Sequence, residues 1–174
     1  ALVDPLVIEA LYRASRAGVP IDIVARGICA LKPGVPGLSE TIRVRSIIDR
    51  FLEHSRIYIF GADDDAKVFI SSADWMQRNF FRRVEVMVPI ESPALVARIL
   101  REIVPVYLSD NTRARVMAGD GGFRLVKPLP GEPAVRCQAC FLEEPTDVPP
   151  VAESPPQPPI PESAGRRTRR SPRR

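Results

Sequence analysis

The spacing of apolar positions changes once within the first 25 residues. Over residues 5–17 apolar side chains recur at helical spacing, which predicts an amphipathic helix. Asp4 is a typical N-cap residue, Pro5 suits the first helical position, and Gly18 is a typical helix stop. Residues 21–25, IDIVA, are nearly all apolar and predict a short strand of the buried kind. This succession is typical of an α/β domain whose sheet is flanked by helices.

The middle of the chain predicts one helix and three strands. Over residues 40–53 apolar positions fall at helical spacing, so we expect an amphipathic helix that ends just before His54. Residues 56–60 and 68–72 are short apolar runs separated by a polar turn, and they predict a β-hairpin. Residues 82–88, RRVEVMV, alternate with a period of two and predict a further strand.

Two more elements are expected before the chain changes character. Ser92 and Pro93 predict the start of a helix with the sequence ALVARILREIV. The glycines of residues 119–122 predict the turn of a last small hairpin.

The chain divides near residue 140. Residues 1–140 predict one folded domain, whereas residues 141–174 predict a disordered tail rich in proline and arginine. Nine prolines fall in residues 145–172, and large apolar residues are nearly missing there. Such a segment buries too little surface to offset the entropy of ordering it, and it favours partly polyproline-II conformations.

The charge is concentrated at the C-terminus. The chain has 25 basic and 21 acidic residues, and six arginines lie in the last nine positions, RRTRRSPRR. An arginine cluster of this kind attracts any polyanion, although a solvated tail without a specific partner is the more common case. The high isoelectric point therefore says little about the folded part.

The cysteines and the hydropathy exclude some classes. Three cysteines give no disulfide framework, which fits a reducing compartment. Cys137 and Cys140 form a single C-x-x-C without the second ligand pair that a zinc site needs, so we expect no metal site there. No signal peptide and no apolar run near 18 residues is visible. The chain begins with Ala, and we expect it to be a piece of a longer protein.

The candidate chemistry lies at predicted strand ends. His54 is the only histidine, and Arg56 would project from the same face of a strand, so both could contact one anionic group. Arg26 follows the strand at residues 21–25 directly, where open α/β sheets place ligands. Arg83 and Glu85 share a face of a later predicted strand. Arginine binds phosphate oxygens through its planar fork at any relevant pH.

Each of these residues also has a purely structural interpretation. A lone histidine after a helix is more often a surface or core group than a catalyst. Arg83 and Glu85 could form an ordinary ion pair on a strand. The aspartates of residues 63–65 lack the spacing of a calcium loop and are expected to be a solvated turn.

Two long segments narrow these alternatives. Residues 26–61 (RGICALKPGVPGLSETIRVRSIIDRFLEHSRIYIFG) and 68–86 (VFISSADWMQRNFFRRVEV) closely resemble the last catalytic domain of bacterial polyphosphate kinase, and YLSDNTRAR resembles the terminal segment of that family. The resemblance runs from about residue 1 to residue 140. It implies a phospholipase D-like fold, an α/β mixed sheet flanked by helices.

The chain also contains an altered form of the phospholipase D signature. His54-x-Arg56 stands where H-x-K is usual, and Ser72-x-Asp74 stands where Ser-x-Asn is usual. Gly61 occupies the position of an expected aspartate. These departures favour the kinase branch over a phosphodiesterase.

The resemblance implies roles for four residues. Arg26 and His54 match positions that contact the phosphates of ATP, and Arg83 would clamp phosphate oxygens. Glu85 would orient the histidine or a metal. His54, Arg83 and Glu85 are thus the expected catalytic residues, and Arg26, His54 and Arg83 the expected ATP-binding residues, with no metal ligand among them.

The implied activity is reversible transfer of the terminal phosphoryl group of ATP to polyphosphate, giving ADP and a longer chain, with Mg²⁺ as cofactor. The phosphohistidine of the family lies in the preceding domain, so the fragment alone is expected to be inactive. Implied partners are that domain and further copies of the enzyme, without specific nucleic acid. The implied location is the cytoplasm, with peripheral contact to the inner membrane. A phospholipase D-type phosphodiesterase and a non-catalytic polyanion-binding module remain as alternatives.

Overall fold

The computed structural model describes residues 1–62 and 65–143. The predicted tail, apart from its first three residues, and the centre of the aspartate-rich turn lie outside these ranges. The elements are, in chain order, α1 (Pro5–Arg16), β1 (Ile21–Val24), β2 (Ile42–Ile47), β3 (Ile57–Phe60), β4 (Lys67–Ser71), α2 (Gln77–Arg82), β5 (Met87–Pro89), α3 (Pro93–Arg98), a π-helical turn (Ile99–Ile103), α4 (Val104–Ser109), β6 (Ala114–Met117), β7 (Phe123–Leu125) and α5 (Cys137–Glu143).

The strands form two sheets. The larger has the order β1-β2-β6-β7, with β1 and β2 parallel and the other pairs antiparallel. The smaller is antiparallel, with the order β3-β4-β5. The expected α/β class with mixed strand directions is confirmed.

The first helix forms as its sequence predicts. The Asp4 carboxylate accepts a hydrogen bond from the Val7 amide at 3.1 Å, and Pro5 opens the helix. Gly18 takes a positive φ of 85°, a conformation that suits glycine, and α1 ends just before it. Both hairpins also form where they were expected, β3 with β4 and β6 with β7.

The expected helix over residues 40–53 is wrong. Residues 42–47 form strand β2, and the chain from residue 48 to residue 56 has no regular structure. Ile42 and Val44 are buried, whereas Arg43 between them is exposed, so the segment follows a period of two. β-Branched residues that alternate with arginine fit a pleated strand better than a helix.

Two smaller expectations also fail. β1 is an edge strand whose Asp22 and Val24 are exposed, so it is not of the buried kind. The strand expected over residues 82–88 is only three residues long, Met87–Pro89. Arg83 and Glu85 therefore lie in the irregular segment that connects α2 to β5.

Two cores hold the larger sheet. The first joins one face of the sheet to α1, and its buried members are Leu2, Ala25, Leu31, Ile42, Val44 and Met117. The second joins Ile47 and Ala114 of the sheet to Cys137 of α5 and to side chains of α4. The second core includes Ile47, the last residue of β2, and thereby anchors the start of the segment that carries His54.

The helix that begins at Pro93 continues beyond the predicted segment to Ser109 and contains a π-helical turn. There the Val104 amide bonds the Ile99 carbonyl, five residues earlier, instead of four. Pro105 follows directly and lacks the N–H that an α-helical pattern would use. Among residues 1–62 and 65–143, no helix is long and apolar enough to cross a membrane.

Candidate active site

An ion pair joins His54-x-Arg56 to Ser72-x-Asp74, the two segments that match the altered phospholipase D signature. The Arg56 Nε lies 3.2 Å from Asp74 Oδ1, and both side chains are largely buried, with 16% and 13% of their surface exposed. Arg56 precedes β3 and Asp74 follows β4, so pairing of these strands brings the two residues together. Burial would raise the pKa of Asp74, but the hydrogen bond and the charge of Arg56 hold that pKa below its usual value.

His54 is exposed beside this pair. The Arg56 Nη1 donates to the His54 carbonyl at 3.0 Å and lies 3.4 Å from His54 Nδ1. A guanidinium only donates hydrogen bonds, so this contact requires a lone pair on Nδ1. A neutral imidazole of that tautomer carries its proton on Nε2, which is thereby available as a donor to an incoming oxyanion.

Glu85 belongs to the same cluster, and its carboxylate bonds Ser72 and Asn79 instead of His54. One carboxylate oxygen accepts a hydrogen bond from the Ser72 hydroxyl, and the other accepts one from Asn79 Nδ2 at 2.5 Å. The Ser72 hydroxyl lowers the pKa of Glu85 most, and Arg83 and Arg56 lower it further by their charge. Ser72 also accepts from the Val86 amide, so the carboxylate holds the segment after α2 against β4.

The two remaining arginines differ in their surroundings. Arg83 directly follows α2, is exposed, and acts electrostatically on Glu85. The Arg26 side chain makes no hydrogen bond or ion pair with any residue of the described ranges. Leu2 bridges to both Cys29 and Trp75, so one strand-like segment separates the loop after Arg26 from the loop that carries Asp74.

The loop that carries Asp74 is supported by aromatic packing. Tyr58 and Trp75 stack with ring centroids 4.9 Å apart and planes within 8°. The Tyr58 hydroxyl donates to the Ala73 carbonyl at 2.8 Å, and burial raises the pKa of Tyr58 to about 12. These two contacts of Tyr58 hold the loop at residues 73–75 against strand β3.

The chain just before His54 is anchored by residues that sequence reasoning missed. Asp49, with 3% of its side chain exposed, forms a two-pronged ion pair with Arg136 at 2.6 and 2.7 Å. The Arg136 hydrogen bonds hold the pKa of Asp49 below its usual value. The two residues are 87 positions apart, and no local pattern could have paired them.

Metal binding is not favoured by this donor set. Within residues 1–62 and 65–143 no three His, Cys, Asp or Glu side chains group as metal ligands. The carboxylates of Asp74 and Glu85 already accept hydrogen bonds from cationic or polar partners. A cleft of about 320 Å³ lies elsewhere, between the loop at Pro33 and strands β2 and β6, and its walls include none of Arg26, His54 and Arg83.

The geometry of the cluster is that of a phosphate-binding α/β protein. An exposed imidazole lies beside a largely buried Arg–Asp pair, next to a second arginine and a carboxylate, on an α/β scaffold. Such a set suits the binding of phosphate groups. Comparison with known proteins then identifies the family. Residues 1–138 match the family model described as polyphosphate kinase C-terminal domain 2, and the chain belongs to this family.

Known relatives agree with this assignment. The polyphosphate kinase of Neisseria meningitidis serogroup C is 58% identical over 135 residues, which cover 76% of this chain and 19% of that protein. The Pseudomonas aeruginosa polyphosphate kinase is 51% identical over 144 residues, 83% of this chain and 21% of that protein. A crystal structure of polyphosphate kinase from Porphyromonas gingivalis matches with a TM-score of 0.75 and 44% identity, over 80% of this chain and 21% of that one.

The expected phospholipase D-like α/β fold is thus confirmed. The chain spans about a fifth of the length of these relatives. The activity of a whole enzyme is therefore a proposal for this chain.

Proposed function

We propose that the chain is the C-terminal catalytic part of a polyphosphate kinase. The enzyme transfers the terminal phosphoryl group of ATP reversibly to the end of polyphosphate and gives ADP and a chain longer by one unit. The observation that carries the proposal is the cluster of His54, Arg56 and Asp74, in a domain of this family.

The roles follow from the chemistry of the side chains. His54 Nε2 donates a hydrogen bond to a phosphate oxygen, and Arg83 neutralises charge that develops on the transferred group. Arg26 binds the phosphates of ATP from the loop after β1. Glu85 acts through position instead, because its two hydrogen bonds hold the segment that carries Arg83. Phosphoryl transfer depends mainly on such positioning and charge neutralisation.

ATP and Mg²⁺ are the proposed nucleotide and cofactor. Among the described residues no three His, Cys, Asp or Glu side chains group as metal ligands, so no step is assigned to the ion here. Magnesium commonly binds the phosphates of a nucleotide with only one or two protein carboxylates.

The proposed partners are ATP or ADP, polyphosphate, the preceding catalytic domain of the same enzyme and further copies of it. No specific nucleic acid is proposed. The site needs the preceding domain because the resemblance assigns the phosphohistidine to it, and His54 is the only histidine of this chain. The proposed location is the cytoplasm, with peripheral contact to the inner membrane.

The direct test is transfer of radiolabelled γ-phosphate from ATP into acid-insoluble polymer by the full-length protein. We expect labelled polyphosphate whose rate of formation falls at least about 100-fold with His54→Ala and with Arg83→Ala. Arg98→Ala should leave the rate unchanged, because Arg98 is paired with Glu102 on α3 and belongs to no part of the site. Absence of labelled polymer from the folded wild-type protein would refute the assignment.

Two further assays separate the alternatives. A phosphodiesterase would hydrolyse bis(p-nitrophenyl) phosphate without ATP. A polyanion-binding module would retain long polyphosphate and nucleic acid on a filter equally well, and would lose both when residues 141–174 are removed. The kinase proposal predicts neither result.

A further inference from the structure

We infer that Gln138 is a positioning residue that orders the segment carrying His54, and that it acts on phosphoryl transfer only through that histidine. The inference rests on the proposed function for its activity measurement. Whether Gln138 orders the segment can be tested by amide hydrogen exchange, without an activity assay.

The segment needs an external anchor. Residues 48–56 have no helix or strand, so no regular backbone ladder fixes their conformation. A phosphate contact depends on the imidazole position within a fraction of an ångström. The order of this segment must therefore come from side chains elsewhere in the fold.

Gln138 supplies that anchor through all of its hydrogen-bonding atoms. Its Oε1 accepts from the Phe51 amide at 2.9 Å, and its Nε2 donates to the Phe51 carbonyl at 2.9 Å. The same Nε2 donates to Glu53 Oε1 at 2.6 Å. One amide side chain thus replaces the two backbone bonds of a strand partner, three residues before His54.

The anchor is itself rigid. Gln138 has 7% of its surface exposed and lies in the first turn of α5. The preceding Cys137 amide bonds the buried Asp110 carboxylate at 2.8 Å. The second oxygen of Glu53 accepts a hydrogen bond from the Tyr107 hydroxyl at 3.0 Å, so α4 fixes the same carboxylate.

The other side of His54 is fixed independently. Arg56 bonds the His54 carbonyl and the Asp74 carboxylate. Gln138 therefore holds the chain before the histidine, and Arg56 holds it after. Removing the Gln138 amide should release one restraint and leave the Asp49–Arg136 ion pair and the Arg56 contacts in place, so the local fold should persist.

The test uses Gln138→Met in the full-length protein, because methionine keeps the shape and loses all three hydrogen bonds. Ser15→Ala is the matched control. Ser15 is buried in α1, its hydroxyl bonds Thr41 at 2.8 Å, and none of its side-chain hydrogen bonds reaches residues 48–56. Both variants lose buried hydrogen bonds, but only one touches the histidine segment.

We expect amide hydrogen exchange over residues 50–55 to rise about tenfold in Gln138→Met and to stay unchanged in Ser15→Ala. We expect kcat to fall about 10- to 100-fold in Gln138→Met. In a His54→Ala background the same substitution should change kcat by less than about twofold, because the group it positions is gone.

Unchanged exchange over residues 50–55 would overturn the inference, and so would an equal loss of kcat with and without His54. A folded wild-type protein without transferase activity would refute the proposed function instead. In that case the exchange measurement alone decides whether Gln138 orders the segment.

Discussion

Arg56 links Asp74 to the main chain of His54, and it does so from a largely buried position. The guanidinium is thus shared between a carboxylate on one segment and a carbonyl on another. The contact suits an arginine at the position where the phospholipase D signature has lysine. A planar fork can serve several acceptors at once, whereas an ammonium acts as a point charge.

Loss of this pair should destabilise the domain measurably. Asp74→Asn keeps the shape but removes the charge that balances Arg56, and we expect the free energy of unfolding to fall by about 1.5–3 kcal/mol. Denaturant titration followed by circular dichroism measures this. The control is Asp22→Asn, because the Asp22–Arg43 pair is exposed and should contribute less than about 1 kcal/mol. Equal losses in the two variants would contradict the assigned role of burial.

Removal of the imidazole should affect rate and not folding. His54 is exposed, so we expect His54→Ala in the full-length protein to lower kcat by about 10²–10⁴-fold and to leave the thermal transition unchanged. Steady-state kinetics and calorimetry on the same preparation measure both quantities. An unchanged rate would return His54 to the class of ordinary surface residues.

The isolated chain should not synthesise polyphosphate. Because the proposed phosphohistidine lies outside it, purified 1–174 has only one side of the site. We expect it to retain polyphosphate on a filter and to incorporate no label from ATP. Sustained polymer synthesis by this fragment would show that the nucleophile has been placed in the wrong domain.

Asp110 should make the domain sensitive to acid. Its carboxylate is 1% exposed and accepts backbone hydrogen bonds from Arg113, Ala114 and Cys137. Burial would raise the pKa of Asp110, but these hydrogen bonds outweigh it and lower that pKa. The stabilisation is therefore complete above the unfolded-state value of about 3.9 and is lost as the pH falls through the lower folded value.

The experiment compares wild type with Asp110→Asn by urea unfolding at several pH values. At pH 7 the variant should be less stable by about 2–3 kcal/mol, because its amide cannot accept all of these bonds. The difference in the free energy of unfolding between wild type and variant should become smaller below about pH 4. Asp120→Asn is the control, since Asp120 caps only the exposed turn at Gly122. A gap that stays constant down to pH 2 would exclude the carboxylate as its cause.

Local sequence signals predicted the parts of the fold that depend on neighbouring residues. The cap at Asp4, the stop at Gly18 and both hairpins follow from contacts within a few positions. The prediction for residues 40–53 was wrong because their apolar residues fit the period of a helix as well as that of a strand. Pairing of β2 with β1 and β6 decides in favour of the strand.

For the site, too, the sequence predicts the local contacts and not the distant ones. Arg56 and Asp74 are brought together by the β3–β4 hairpin, whose strands the sequence predicts. The anchors at Asp49 and Phe51 depend on Arg136 and Gln138, which lie 87 residues away. Only the folded chain brings these residues into contact, and the role of Glu85 likewise depended on Ser72 and Asn79.

The π-helical turn at residues 99–103 has a consequence for tolerance of insertions and deletions. That turn holds one residue more than an α-helical turn, so everything after it is rotated by about 100° relative to a regular helix. Tyr107 reaches Glu53 in this rotated setting. A one-residue deletion within the turn would rotate the Tyr107 hydroxyl away from the Glu53 carboxylate. The loop that carries Glu53, 54 positions upstream, would then be held less firmly, although no residue of the loop itself had changed.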